Sequence, residues 1–176
     1  MAWFALLIGL VALERLAELV VARRNERWSR SQGAIETGAR HYPVMVVLHT
    51  GLLAGALLEV GLGSRPFLPA LGWPMLVLVI ASQGLRWWCV ATLGKQWNTR
   101  ILVVPDAPKV EGGPYRWFAH PNYVAVVIEG AALPLVHTAW LTAVAFTVLN
   151  AGLLRVRITA ENRALRALRQ QPVPAR

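Results

Sequence analysis

Five apolar runs, each about long enough to cross the hydrocarbon core of a bilayer, take up most of this chain. They lie near residues 2–21, 43–62, 73–93, 121–136 and 139–154. Unsatisfied backbone is costly in lipid, so each run is expected to be a helix. The last two are short and joined only by His137-Thr138, which predicts a tight helical hairpin. The expected fold is therefore an all-α integral membrane protein. It has about five transmembrane helices in a single domain spanning 1–176. Residues 158–169 read as an amphipathic helix on the cytoplasmic surface, and Pro172 and Pro174 mark a frayed end.

Charge placement supports this layout. Only 15% of the 176 residues are charged, yet the net charge is +9, and 56% are apolar. The first loop carries Arg23, Arg24, Arg27, Arg30 and Arg40, and the second only Arg65. The third carries Lys95, Arg100, Lys109 and Arg116, the fourth no cation, and the tail six arginines from Arg155 to Arg176. Alternating positive and neutral loops place the N-terminus outside, and the third loop and C-terminus in the cytoplasm, as in a bacterial plasma membrane. The positive charges flank apolar runs instead of forming one aromatic-laced patch, which argues against nucleic acid and for anionic lipid. The first run lacks a basic leader and a small-residue cleavage site, so it is expected to remain as a span. A single cysteine, Cys89, excludes disulfides and thiolate metal sites within one chain. No carboxylate completes a ligand set with His41 and His49, so no metal is expected.

Residues 94–120 form the only long polar connection, rich in Gly and Pro, with a short extended stretch at 101–104. Its end reads Gly-Gly-Pro-Tyr-Arg-Trp-Phe-Ala-His-Pro-Asn-Tyr, directly before an apolar run. Pro121 suits a first helical turn, where a missing N–H costs nothing. Free N–H groups and the positive dipole end there favour an anionic group such as a carboxylate. A bare membrane anchor does not need such a site.

Polar groups inside apolar runs are costly and usually have a partner or a purpose. Arg15 and Glu18, three apart, can pair on one face beside Glu14. Arg86 and Gln83 lie one turn apart and suit either packing or a ligand, while Glu59 reads as interfacial. Glu129 follows Asn122 by seven residues and shares its stripe, so it suits either a site role or a buried interhelical bond. Asn150, Arg157 and Glu161 fall at i, i+7 and i+11, nearly in line on a helix. Arg157 and Glu161 could be a solvated surface pair, or could face the same cytoplasmic pocket as His120. Trp87, Trp88, Trp97 and Trp117 read as an interfacial belt, although one could flank an adenine ring.

Over residues 82–168 the chain resembles the isoprenylcysteine carboxyl methyltransferase family of integral membrane enzymes. The resemblance rests on Leu93-Gly94, on Gly113-Pro114-Tyr115 followed by His120-Pro121-Asn122-Tyr123, and on Arg157 and Glu161 after a helical hairpin. The front half, with Gly33-Ala34-Ile35-Glu36, His41-Tyr42-Pro43 and His49, resembles a bacterial branch linked to type III polyketide synthases. That branch is thought to O-methylate alkylresorcinol or alkylpyrone lipids. The resemblance implies S-adenosylmethionine as methyl donor. It gives cofactor-lining roles to Pro108, Lys109 and Val110, and assigns the donor's amino-acid and ribose portions to Tyr115, His120, Asn122 and Tyr123. It assigns cofactor binding also to Glu161, and the acceptor head group to Arg157. Where the family usually has Arg before His-Pro this chain has Ala119, with Arg116 a possible substitute one turn earlier. Asn162 stands where a second acidic residue is common.

Methyl transfer to a carboxylate needs positioning alone, whereas a phenol, with a pKa near 10, benefits from a general base. His120 and Glu129 are the candidates for that base. The expected function is O-methylation of a lipophilic acceptor. The alternatives are methylation of a C-terminal prenylcysteine carboxylate and, from another class, a non-catalytic membrane protein or small transporter.

Overall fold

A computed structural model of the chain describes residues 1–105, 107–108 and 110–169. Five helices follow one another: α1 (Ala2–Ser31), α2 (His41–Leu62), α3 (Pro69–Leu93), α4 (Pro121–Leu135) and α5 (Trp140–Arg169). Two three-residue strands, β1 (Ile35–Thr37) and β2 (Ile101–Val103), form a small antiparallel ribbon. Ile35 pairs with Val103 and Thr37 with Ile101. The extended stretch at 101–104 is thus present in this chain, and its partner comes from the first loop.

The helices alternate in direction between two ends of the bundle. At one end Trp3, Phe67 and His137 meet, with ring centroids 5.2 to 5.9 Å apart. At the other, Ser29, the ribbon and the start of α4 gather around the last turns of α5. Helices α2, α3 and α5 are long and apolar enough to cross a membrane, and α4 is a shorter apolar helix. The chain is an integral membrane protein. Its outer faces carry exposed Leu10, Leu13 and Val20 on α1, Val47 on α2, Ile80 on α3 and Val148 on α5. Such a continuous apolar exterior suits lipid and not water.

Phe4, Ile8, Val11, Ala56, Val60, Val79 and Leu133 form the main core, near the Met1 end. There α4 and α5 approach closely: a Cβ on Gly130 would lie 2.0 Å from the Phe146 ring. Glu59 holds the start of α5, accepting from the Leu141 and Thr142 backbone N–H groups at 3.1 and 2.8 Å. It thereby meets donors that a helix N-terminus leaves orphaned. Glu59, expected to be merely interfacial, is a cap.

Two further expectations are corrected. Residues 158–169 are no separate surface helix but the unbroken continuation of α5, because nothing in that stretch interrupts the hydrogen-bond ladder. Trp97 does not belong to an interfacial belt: it is 2% exposed and packs against Ala22 and Val90. Asn25 of α1 fixes that loop, donating to the Gly94 and Trp97 carbonyls at 3.0 and 2.8 Å. Trp87, Trp88 and Trp117 are exposed.

Candidate functional site

At the ribbon end the five helices part around a cavity of about 650 Å³. The polar loop closes over it, with Val104, Pro108 and Val110 in its wall. The ribbon edge is held by charge: Arg100 donates to Glu36 at 2.7 Å and lies 4.2 Å over the Tyr42 ring, while Arg30 reaches Glu36 at 2.6 Å. Burial works against the Glu36 carboxylate, but the hydrogen bonds from Arg100 and Arg30 outweigh it and hold Glu36 below the usual carboxylate range.

The Gly-Pro-Tyr motif forms a 3-10 turn that turns Tyr115 into the cavity. Gly113 has φ +54°, and a Cβ there would meet Thr92 Oγ1 at 2.4 Å, so only glycine fits. Pro114 is fully buried behind it. Burial pushes the Tyr115 phenol upward, and Cys89 beside it adds to the shift, so Tyr115 stays a hydrogen-bond donor.

His120 is the N-cap residue of α4, Pro121 its first turn, and no side chain caps that terminus. The positive end of α4 therefore opens toward the cavity, which His120, Asn122 and Tyr123 line. Across from it, Glu161 of α5 accepts a 2.6 Å hydrogen bond from the Tyr123 hydroxyl. The His120 ring stacks on Tyr123 with centroids 5.4 Å apart. Its Nδ1 lies 3.8 Å from Glu161 and its Nε2 3.2 Å from Asn162 Oδ1. Arg157 is buried and donates to the Thr99 carbonyl at 2.9 Å, so it is no solvated partner of Glu161. Asn122 Oδ1 and Arg157 Nε are among the buried polar atoms on the cavity lining that have no hydrogen-bond partner among the described residues.

Deeper in the cavity lies a buried layer of charge. Glu129 of α4 accepts from Arg15 of α1 and, at 2.6 Å, from Arg86 of α3. Arg15 also pairs with Glu18 and donates to Gln83 at 3.1 Å. Glu129 thus forms the interhelical bond that its position suggested, and it lines the cavity as well.

The structure brings Pro108, Val110, Tyr115, His120, Asn122, Tyr123, Glu129, Arg157 and Glu161 to one cavity. Lys109 lies outside the described residues. Arg116 is exposed and does not line the cavity, so it does not stand in for the arginine that Ala119 replaces. Three contributions were not assigned from the sequence: Asn162 as a partner of His120, His49 in the cavity wall, and the union of Arg15 with Arg86 and Glu129. The third could have been found, because those charges sit at similar depths in their runs.

The model of the isoprenylcysteine carboxyl methyltransferase family matches residues 75–167. An uncharacterized Bacillus subtilis protein, YpbQ, is 43% identical over 163 residues, covering 92% of this chain and 96% of its own. An uncharacterized Haemophilus influenzae protein is 25% identical over 154 residues, covering 86% and 88%. No solved structure matches the chain.

Proposed function

Because the chain belongs to the isoprenylcysteine carboxyl methyltransferase family, a family of membrane methyltransferases that use S-adenosylmethionine, we propose that it O-methylates a lipophilic acceptor. The observation that carries this reading is a single cavity with a polar rim at Glu161 and His120 and apolar walls at Leu52, Leu53, Leu153 and Leu154. Polar donor and greasy acceptor need such a junction. A lipid phenol or enol of the alkylresorcinol or alkylpyrone type suits it, which would place the enzyme downstream of a type III polyketide synthase. The arginine-rich loops favour five spans, an outside N-terminus and a cytoplasmic rim in a bacterial plasma membrane.

The residues at the rim fit the donor. Its amino-acid carboxylate suits the uncapped start of α4 and its ammonium suits Glu161, while the unpartnered Asn122 Oδ1 can accept from a ribose hydroxyl. Tyr115, His120 and Tyr123 would flank it, with Pro108, Lys109 and Val110 as the covering loop. When bound, the donor supplies an electrophilic methyl group on a sulfonium. The chain's part is to orient, to hold the reactants near contact and to exclude water. Arg157 has a free Nε on the cavity lining and would position the acceptor's polar head. Glu129, held by two guanidinium groups, keeps the deeper wall charged and ordered.

The unpartnered Arg157 Nε also favours a second reading, methylation of a prenylcysteine carboxylate. Detergent-purified protein with labelled donor, offered a long-chain phenol and a prenylcysteine in parallel, separates the two. Label on the phenol supports the first reading, and label only on the prenylcysteine replaces it with the second. Binding of the donor with no transfer to either would overturn both.

A further inference from the structure

The geometry points to His49 as the proton acceptor for the acceptor's hydroxyl group, an inference that rests on the O-methyltransferase reading above. His49 lies on α2, eight residues or ~12 Å into the bundle from His41, and lines the cavity. Its Nδ1 lies 2.9 Å from the Met45 carbonyl oxygen. A carbonyl can only accept, so Nδ1 carries the hydrogen and the neutral ring keeps its lone pair on Nε2. Nε2 has no partner among the described residues, and the residue lines the cavity. The Phe146 ring stands edge-on to the imidazole, centroids 5.3 Å apart, and fixes its plane.

The other two candidate bases are committed. Glu129 accepts from both Arg15 and Arg86. His120 places Nε2 on Asn162 and Nδ1 toward Glu161, within the rim that receives the donor. His49 is the cavity imidazole with an open acceptor nitrogen.

Charge of both signs lies around the imidazole. The charged groups acting on His49 are Arg15 from α1, Arg86 from α3 and Glu129 from α4, while α5 sets Phe146 against it. With the adjoining Glu14, three carboxylates meet two guanidinium groups in this layer. An uncompensated cation at such depth would be costly.

The step balances as follows. The acceptor O–H bond breaks and its proton passes to Nε2, while the oxygen forms a bond to the donor's methyl carbon. The carbon–sulfur bond breaks and its electron pair stays on sulfur, leaving a neutral thioether. His49, now carrying hydrogen on both nitrogens, returns its proton to water through the cavity mouth once the ether product leaves.

Two measurements on the full-length protein in detergent test this. With an unactivated long-chain phenol, His49→Gln should lower kcat by about 10²- to 10⁴-fold. Its rate should climb with pH toward the phenol's own ionisation, while donor affinity and melting temperature hold. A phenol acidic enough to be ionised at the assay pH should restore most of the loss. Second, ¹⁵N-histidine spectra of the wild-type protein, assigned by the signal lost in His49→Gln, should show hydrogen on Nδ1. The Nε2 resonance should move when a lipophilic phenol is added without donor. Wild-type kcat and pH profile in His49→Gln, or hydrogen resting on Nε2, would overturn the assignment and leave the methyltransferase reading standing. Failure of the wild-type protein to methylate any hydroxyl acceptor would overturn both.

Discussion

The Tyr123 hydroxyl donates to the Glu161 carboxylate at 2.6 Å, tying the first turn of α4 to the later turns of α5. The two residues are 38 positions apart, and their bond makes one rim from two motifs. Tyr123→Phe removes the donor and keeps the ring stacked on His120. Losing one hydrogen bond to a charged group costs about 1.5–3 kcal/mol, so S-adenosylmethionine affinity should fall roughly 10- to 100-fold, read by isothermal calorimetry.

Arg86 and Glu129 face each other in the buried layer at 2.6 Å. Arg86→Met leaves Glu129 with one partner fewer in a low-dielectric interior, at a cost of about 3–5 kcal/mol. The melting temperature in detergent should drop sharply. Replacing both, Arg86→Met with Glu129→Met, should recover part of the loss, because no charge is then stranded. A double variant as unstable as the sum of the singles would contradict the pairing.

Glu59 caps α5 from a neighbouring helix. Glu59→Ala should destabilise by about 1 kcal/mol, read as a modest fall in melting temperature. Donor binding, at the opposite end of the bundle, should not change.

The ribbon gives a pH signature. Arg100 and Arg30 depress the Glu36 carboxylate in the folded chain, so the folded state binds its proton less readily than the unfolded chain does. The stabilisation is therefore complete above the ordinary carboxylate range and is lost as pH falls through the depressed value. Melting temperature should decline between about pH 5 and 3 in the wild type. In Glu36→Gln that part of the decline should be absent.

The helices and the motif-bearing junction were legible because apolar run length acts locally. The Pro121 start of α4 and the shared stripe of Asn150, Arg157 and Glu161 follow from one helix's own geometry. What was hidden depends on which helices become neighbours. Arg15 reads as a partner for Glu18 until α4 brings Glu129 against it. Glu59 reads as interfacial until α5 starts on top of it. Ile35–Thr37 carries no strand signal of its own, and pairs only because the loop after α3 returns beside it. The run of α5 to Arg169 was misread because a charged surface stretch and a helix extension share one periodicity.

The most direct test of a donor pocket shared by α4 and α5 is equilibrium binding of labelled S-adenosylmethionine to the purified wild type, His120→Ala and Glu161→Ala. The expected result is micromolar binding by the wild type and a loss of tenfold or more in each variant with the fold intact. Wild-type affinity in both variants, or no binding by the folded wild type, would contradict it.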